Sequence, residues 1–355
     1  MTERAFAPDD FVGVKGSISD RYIIPPFSVL DTRLGSWKAR RRWWLSLGIQ
    51  SELGRGKDLA FNLNAGSGIR GWGGTTTDAE GVPVWSRREA DERAGSVRKY
   101  GRAEMPEWAD GNGTRDYVQA TSIFDPVLAE MMYRWFAPPG GHVLDPFAGG
   151  SVRGIVAAML GHPYTGVDLS AEQCEANREQ GERIVPALVP TWLTGDSRAV
   201  LPTLDGGSYD MVMTCPPYYD LEVYSDDPRD VSAMGSYDEF LEAYRAILAE
   251  AVRCLRPGRF AVVVVSEVRD KRGRYRGLVP DTIAALTDAG ASYYNEAILI
   301  NAAGTLPMRV EKQFGPTRKL GRMHQNILVA VKGEPERGWD ADRVGPPDPQ
   351  LSLFG

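Results

Sequence analysis

The sequence predicts an α/β protein, a parallel sheet covered by helices on both faces, and three observations carry that expectation. From about residue 120, short apolar strands alternate with amphipathic helices. A turn of small residues, Phe147-Ala-Gly-Gly-Ser-Val-Arg-Gly154, joins the first of those strands directly to a helix. The next strands end in or beside acids, Asp168 and Asp196, where side chains gather at the carboxyl edge of a parallel sheet.

Taken in order, the expected strands are His142–Asp145, Tyr164–Asp168, Thr191–Thr194 and Asp210–Met213. A long helix follows from Tyr237 to Leu255, and Arg256-Pro257-Gly258 should stop it, since proline offers no amide to the helix ladder and glycine favours its end. Phe260–Val265 is an unbroken apolar run, suited to a strand buried on both faces. Ala297–Ile300 and Asn326–Val331 complete the set and flank a polar loop from Asn301 to Gln325, a length that is uncommon unless the loop is functional or disordered. The chain before residue 115 has Pro25-Pro26, a glycine-rich stretch from Gly66 to Gly74 and charges around Arg87 to Arg93, so irregular structure with a few short helices is expected there. After Lys332 the chain is rich in Pro, Gly and Asp and reads as unstructured. The expected division is an N-terminal extension over 1–115, serving recognition or as a lid, a catalytic domain over 116–333 and a flexible tail over 334–355.

With 355 residues there is room for a large core, and apolar runs such as Phe260–Val265 are too short to span a bilayer as a helix. The first twenty residues lack the basic start, apolar stretch and cleavage site of a secretory signal, which points to a cytoplasmic location. Cys174, Cys215 and Cys254 show no C-x-x-C spacing, and His142, His162 and His324 are scattered, so neither a disulfide framework nor a metal site is expected. The net charge of −6 argues against coating nucleic acid through overall charge, and any such contact must come from local patches. Two are visible: Arg40, Arg41 and Arg42 beside Trp43-Trp44, and Arg309, Lys312, Arg318, Lys319 and Arg322 in the long loop. Trp37, Trp43 and Trp44 with the arginines read either as an apolar cluster with snorkelling side chains or as a stacking and phosphate-contacting surface.

The turn after the first strand begins Asp145-Pro146-Phe147 and runs through Gly149. Glycines there let a ligand approach the backbone, and Asp168 at the next strand end is placed to accept from both hydroxyls of a ribose. Asp196, with Ser197 after it, is placed to accept from the exocyclic amine of an adenine ring. The turn fits the G-x-G-x-x-G pattern of dinucleotide binding poorly, which ranks NAD below a nucleoside cofactor of another kind. The fourth strand runs into Cys215-Pro216-Pro217-Tyr218. Two prolines hold the backbone extended and remove two amide donors, leaving the carbonyls of Cys215 and Pro216 to face a donor such as an amine, while Tyr218 can stack on a flipped base.

These motifs, in this order, resemble those of the exocyclic amino-methyltransferases of DNA, the N6-adenine and N4-cytosine enzymes of restriction-modification and phage systems. The resemblance spans roughly 120–332. It implies a Rossmann-like fold with an antiparallel last strand, S-adenosyl-L-methionine as cofactor, and double-stranded DNA with a flipped target base as partner. It further implies cofactor roles for Asp145, Pro146, Phe147, Gly149, Asp168, Leu169, Asp196 and Ser197, and for Phe124-Asp125-Pro126 as the segment that precedes the first strand in that family. The sequence departs from the family at Gly150-Ser151-Val152-Arg153, where Ser-Gly-Thr is usual, and at Cys215, where Asp, Asn or Ser is usual. Shape at Cys215 favours cytosine and the number of adenine enzymes favours adenine. Other readings stay open: C5 methylation through a Cys215 thiolate, an RNA or protein-glutamine substrate, or a catalytically silent DNA-binding protein. The short interval between Gly154 and Cys215 leaves no room for a recognition domain, which directs target reading to residues 1–115 or to the 301–325 loop.

Overall fold

A computed structural model describes residues 23–50, 124–221, 224–225, 227–304 and 306–336. Expectations that fall on 1–22, 51–123 or the tail from 337 lie outside the described residues. The remainder is organised by one eight-stranded sheet in the order β1-β7-β8-β6-β5-β2-β3-β4. Its strands are β1 (Val29–Asp31), β2 (Val143–Asp145), β3 (Tyr164–Asp168), β4 (Thr191–Thr194), β5 (Tyr209–Thr214), β6 (Leu255–Val265), β7 (Ala291–Ile300) and β8 (His324–Lys332). The pairs β1–β7, β2–β3, β2–β5, β3–β4 and β5–β6 are parallel. The last strand, β8, runs antiparallel to both β6 and β7, as expected.

Central strands are apolar throughout because both of their faces are covered. Every residue of β2 and β5 is buried, as is Phe260–Val265 of β6. One core lies under α1 (Gly35–Ser46), α2 (Pro126–Phe136) and α3 (Val152–Met159); the other lies under α6 (Tyr237–Cys254) and α7 (Leu278–Asp288). α4 (Ala171–Ile184) packs beside β4. Local chemistry sets the helix starts. Asp125 caps α2 by accepting from the Val127 amide, with Pro126 at the first helical position. Ser170 caps α4 in the same way, and Ser236 with Glu239 three residues on opens α6.

Four expectations are corrected. The stretch from 301 to 325 is not a plain loop, because Leu306–Thr317 forms helix α8. Arg256-Pro257-Gly258 does stop the helix, yet these residues belong to the start of β6, where the register against β5 shifts and Gly258 takes a positive φ of 79°. β7 begins six residues before Ala297, and residues 292–296 are exposed, so no apolar run marked that half of the strand. The region before residue 115 has a helix among the short ones expected, α1, which packs on α2, and adds a strand that was not expected, β1, which extends the sheet beside β7.

That packing separates the buried side chains of the Trp-Arg stretch from the exposed ones. Trp37 and Trp44 lie on one face of α1 and are buried. The Trp37 indole donates to Asp125 at 3.0 Å and that of Trp44 to Glu130 at 2.9 Å. Arg40, between them on the same face, donates through Nε and Nη2 to both oxygens of the buried Glu130, each at 2.5 Å. Arg40 thus neutralises an interior carboxylate, a structural role beside its expected place in a DNA surface. Trp43 is half-buried and packs edge-on against Trp44.

Candidate active site

The carboxyl ends of β2, β3, β4 and β5 open on one cavity of about 710 Å³, on the scale of small-molecule and cofactor sites. It lies at the point where the chain order reverses between β5 and β2, the place where open α/β sheets bind ligands. Phe124, Asp125, Pro146, Phe147, Gly149, Asp168, Leu169, Asp196, Ser197 and all of Cys215–Tyr218 line it. The two motifs read from sequence therefore share a single space.

At the β2–α3 turn Gly149 has a φ of 51°, a conformation that L side chains rarely adopt. Its amide donates to Asp168 at 2.9 Å, while the Ser170 amide donates to the other Asp168 oxygen at 2.9 Å. Asp168 is thereby fixed at the end of β3, facing the cavity. Asp196 caps the short helix α5 (Ser197–Val200), and Arg198 donates to its Oδ2 through Nε at 3.0 Å and Nη2 at 2.7 Å, and to its Oδ1 through Nε at 3.1 Å. The carboxylate expected to await an adenine amine thus already has a guanidinium beside it. The Ser197 hydroxyl donates to the Pro146 carbonyl at 2.6 Å and joins the two turns.

Two of the residues expected to hold the cofactor do not line the cavity. Pro126 serves as the first residue of α2. Asp145 is fully buried behind the turn, where it accepts from Arg153 Nε at 2.5 Å, the Tyr164 hydroxyl at 2.8 Å, the Thr214 hydroxyl at 2.7 Å and the Phe147 amide at 3.1 Å. Four donors match the lone-pair capacity of a carboxylate, so Asp145 is a hub that shapes the turn rather than a ligand contact.

At the end of β5, Pro216 is buried and Cys215, Pro217 and Tyr218 are half-buried. The Cys215 sulfur and the Tyr218 hydroxyl are 3.6 Å apart. Gln325, at the start of β8, donates to the same hydroxyl at 2.9 Å. Burial pushes the Tyr218 phenol well above its ordinary range, so the ring is neutral at physiological pH. Tyr219 follows with a φ of 54°, a strained conformation for a tyrosine, and its ring packs against Tyr237 and Phe240 while Arg276 lies over it.

The basic candidates divide by geometry. Arg41 is exposed, lines the cavity and lies 3.9 Å from Asp125; Arg42 is exposed. Lys312 and Arg318 are exposed on and just after α8, and Arg318 reaches over Phe314. Lys319 packs against Gly273 and is half-buried. Arg322 faces inward and donates to the His324 carbonyl and to the Asn326 side chain. Arg309 lies on α8.

No protein-family profile matches the chain, and no curated protein matches it. Similarity is confined to solved structures. TrmN from Thermus thermophilus is 20% identical with a TM-score of 0.40, over 59% of this chain and 49% of that one. A candidate DNA modification methylase, also from Thermus thermophilus, is 24% identical with a TM-score of 0.32, over 41% and 53% of the two chains. A geranyl diphosphate methyltransferase in complex with SAM is 14% identical with a TM-score of 0.41, over 63% and 92%. The chain thus spans about half the length of the first two. At these scores the likenesses assign neither a family nor a substrate.

Sequence reasoning missed Arg153, Gln325 and the clamp of Arg40 on Glu130. Arg153 left a signal, since a charge inside the apolar run Val152-Arg-Gly-Ile-Val-Ala-Ala-Met159 needs a buried partner. Gln325 left none, because its partner is remote in sequence.

Proposed function

We propose that this chain is an S-adenosylmethionine-dependent methyltransferase acting on an exocyclic amine of a DNA base, adenine N6 or cytosine N4. The observation that carries the reading is the single cavity that joins the Gly149–Asp168–Asp196 end to Cys215-Pro216-Pro217-Tyr218. The donor set suits the cofactor. Asp168 would accept from the ribose hydroxyls, the positive φ of Gly149 allows close approach of the turn, and Phe147 and Leu169 line the same wall. When bound, S-adenosylmethionine supplies an electrophilic methyl group.

The chain's own work is to hold and prepare the amine. A base amine is planar because its lone pair is delocalised into the ring, so acceptors that draw its hydrogens out of plane make the nitrogen more tetrahedral and more nucleophilic. In this reading the carbonyls of Cys215 and Pro216 are those acceptors. Sulfur accepts weakly, and the Cys215 thiol already lies against the Tyr218 hydroxyl, which leaves the amine to the main chain. Tyr218, anchored by Gln325, offers a face on which a flipped base would stack. Lys38 and Arg41 of α1, at the mouth of the cavity, and Lys312 and Arg318 of α8 supply positive charge for phosphates.

The test is a parallel incubation with methyl-labelled cofactor and DNA, RNA or protein. Label in DNA alone supports the reading, and label in RNA or protein alone removes the substrate assignment.

A further inference from the structure

Four cations line the cavity, and they differ in one respect. Lys38, Arg41 and Arg229 are exposed around it, whereas the Arg153 side chain is only 6% exposed. Burial at that level leaves the guanidinium little water, and its partners are built into the fold. Nε donates to Asp145 at 2.5 Å, and Nη2 donates to the carbonyls of Phe147 at 2.6 Å and Ala148 at 3.0 Å. The plane also lies 4.7 Å from the centre of the Phe124 ring. These contacts fix the orientation of the fork. The remaining nitrogen, Nη1, bonds no described residue, and Arg153 is one of the residues that line the cavity.

A clamp for the β2–α3 turn would need only Nε and Nη2. A preorganised, poorly hydrated guanidinium nitrogen facing a cavity suits a carboxylate. Arg153 lines the same space as Asp168 at one end and Cys215 at the other. A ligand whose nucleoside sits at Asp168 and whose methyl reaches Cys215 carries its amino-acid part through that region.

We propose that Arg153 reads the α-carboxylate of the cofactor's methionine part and sets the specificity of the cavity for the intact amino-acid end. This rests on the cofactor assignment above and goes beyond it, because it makes Gly150-Ser151-Val152-Arg153 a different solution to carboxylate binding.

The experiment is calorimetric titration with S-adenosylmethionine and with its decarboxylated analogue, which lacks only that carboxylate. The proteins are the wild type, Arg153→Lys and the double variant Arg153→Met with Asp145→Asn, which removes both buried charges together. The wild type is expected to prefer the intact cofactor by roughly 10- to 100-fold, the range of a charge-assisted hydrogen bond. In the double variant, shown to be folded by a cooperative melt, that preference should fall towards one, whatever the loss of affinity the two ligands share. An unchanged preference overturns the proposal. Should the double variant not fold, Arg153→Lys decides, because one ammonium cannot serve Asp145 and the cavity at once: a reduced preference supports the proposal and an unchanged one overturns it. A wild type that binds both ligands equally removes this inference alone, whereas one that binds neither removes the cofactor assignment beneath it.

Discussion

Gln325 donates to the hydroxyl of Tyr218 at 2.9 Å, across a sequence separation of 107 residues. The bond ties the start of the antiparallel strand β8 to the turn that ends β5, and it fixes the ring on which the proposed base would rest. A neutral hydrogen bond of this kind contributes about 1 kcal/mol. Gln325→Leu should therefore lower kcat on DNA by roughly five-fold while leaving S-adenosylhomocysteine affinity unchanged. Steady-state kinetics beside calorimetry checks this, and equal losses in both would place Gln325 in the scaffold instead.

Asp168 is held by the amides of Gly149 and Ser170, so it is rigid before any ligand arrives. Asp168→Ala should weaken S-adenosylhomocysteine binding by roughly 10- to 100-fold, as expected for hydrogen bonds to a charged group. Calorimetry reads this directly, and undiminished affinity would remove the ribose assignment.

Glu130 anchors α1 to α2 through Arg40, Arg134 and Trp44. Burial pushes its pKa up, but the Arg40 bond and the charges of Arg40 and Arg134 outweigh this and hold it below the ordinary 4.5. A carboxyl depressed in the folded state stabilises fully above its unfolded pKa, and that contribution is lost as pH falls through the folded value. Thermal stability should therefore decline below about pH 4.5 partly through this group. Glu130→Gln leaves Arg40 inside without its counter-charge, at a cost of about 3–5 kcal/mol, and should flatten that part of the acid profile. A melt series from pH 3 to 7 on both proteins decides it, and identical profiles would contradict the assignment.

The basic residues near α8 are not equivalent. Lys312 and Arg318 are exposed, whereas Arg322 is occupied by His324 and Asn326. Lys312→Ala with Arg318→Ala should reduce the slope of log K for DNA against log salt by roughly 0.9 for each lost phosphate contact. Arg322→Ala should lower the melting temperature more than the slope. Fluorescence anisotropy across a salt series reads the first, and an unmoved slope would take α8 out of the DNA surface.

The central sheet was legible because its strands are apolar runs bounded by turn residues, and because the Asp145, Asp168, Asp196 and Cys215 turns all follow strand ends. What escaped depends on contacts between distant segments. Helix α8 carries Leu306, Val310 and Phe314 at a spacing of four, but Gly304, Gly315 and Pro316 around and inside it read as breakers. β1 has three residues and is recognisable only through its pairing with β7. Asp145 sits where a ligand contact is expected and instead organises the turn, a distinction that only the donors around it reveal. Arg40 looked like one of three equivalent arginines until Glu130 singled it out.

The most direct measurement of the central claim is mass spectrometry of nucleosides digested from DNA treated with wild type, Cys215→Ser and Tyr218→Ala. Amine methylation through main-chain carbonyls predicts N6-methyladenine or N4-methylcytosine from the wild type, with activity retained in Cys215→Ser, since serine keeps the shape of the turn. Tyr218→Ala should lose most of the product, consistent with about 1–3 kcal/mol of base stacking. Finding 5-methylcytosine from the wild type and none from Cys215→Ser would contradict the account, because a thiolate nucleophile would then be doing the chemistry.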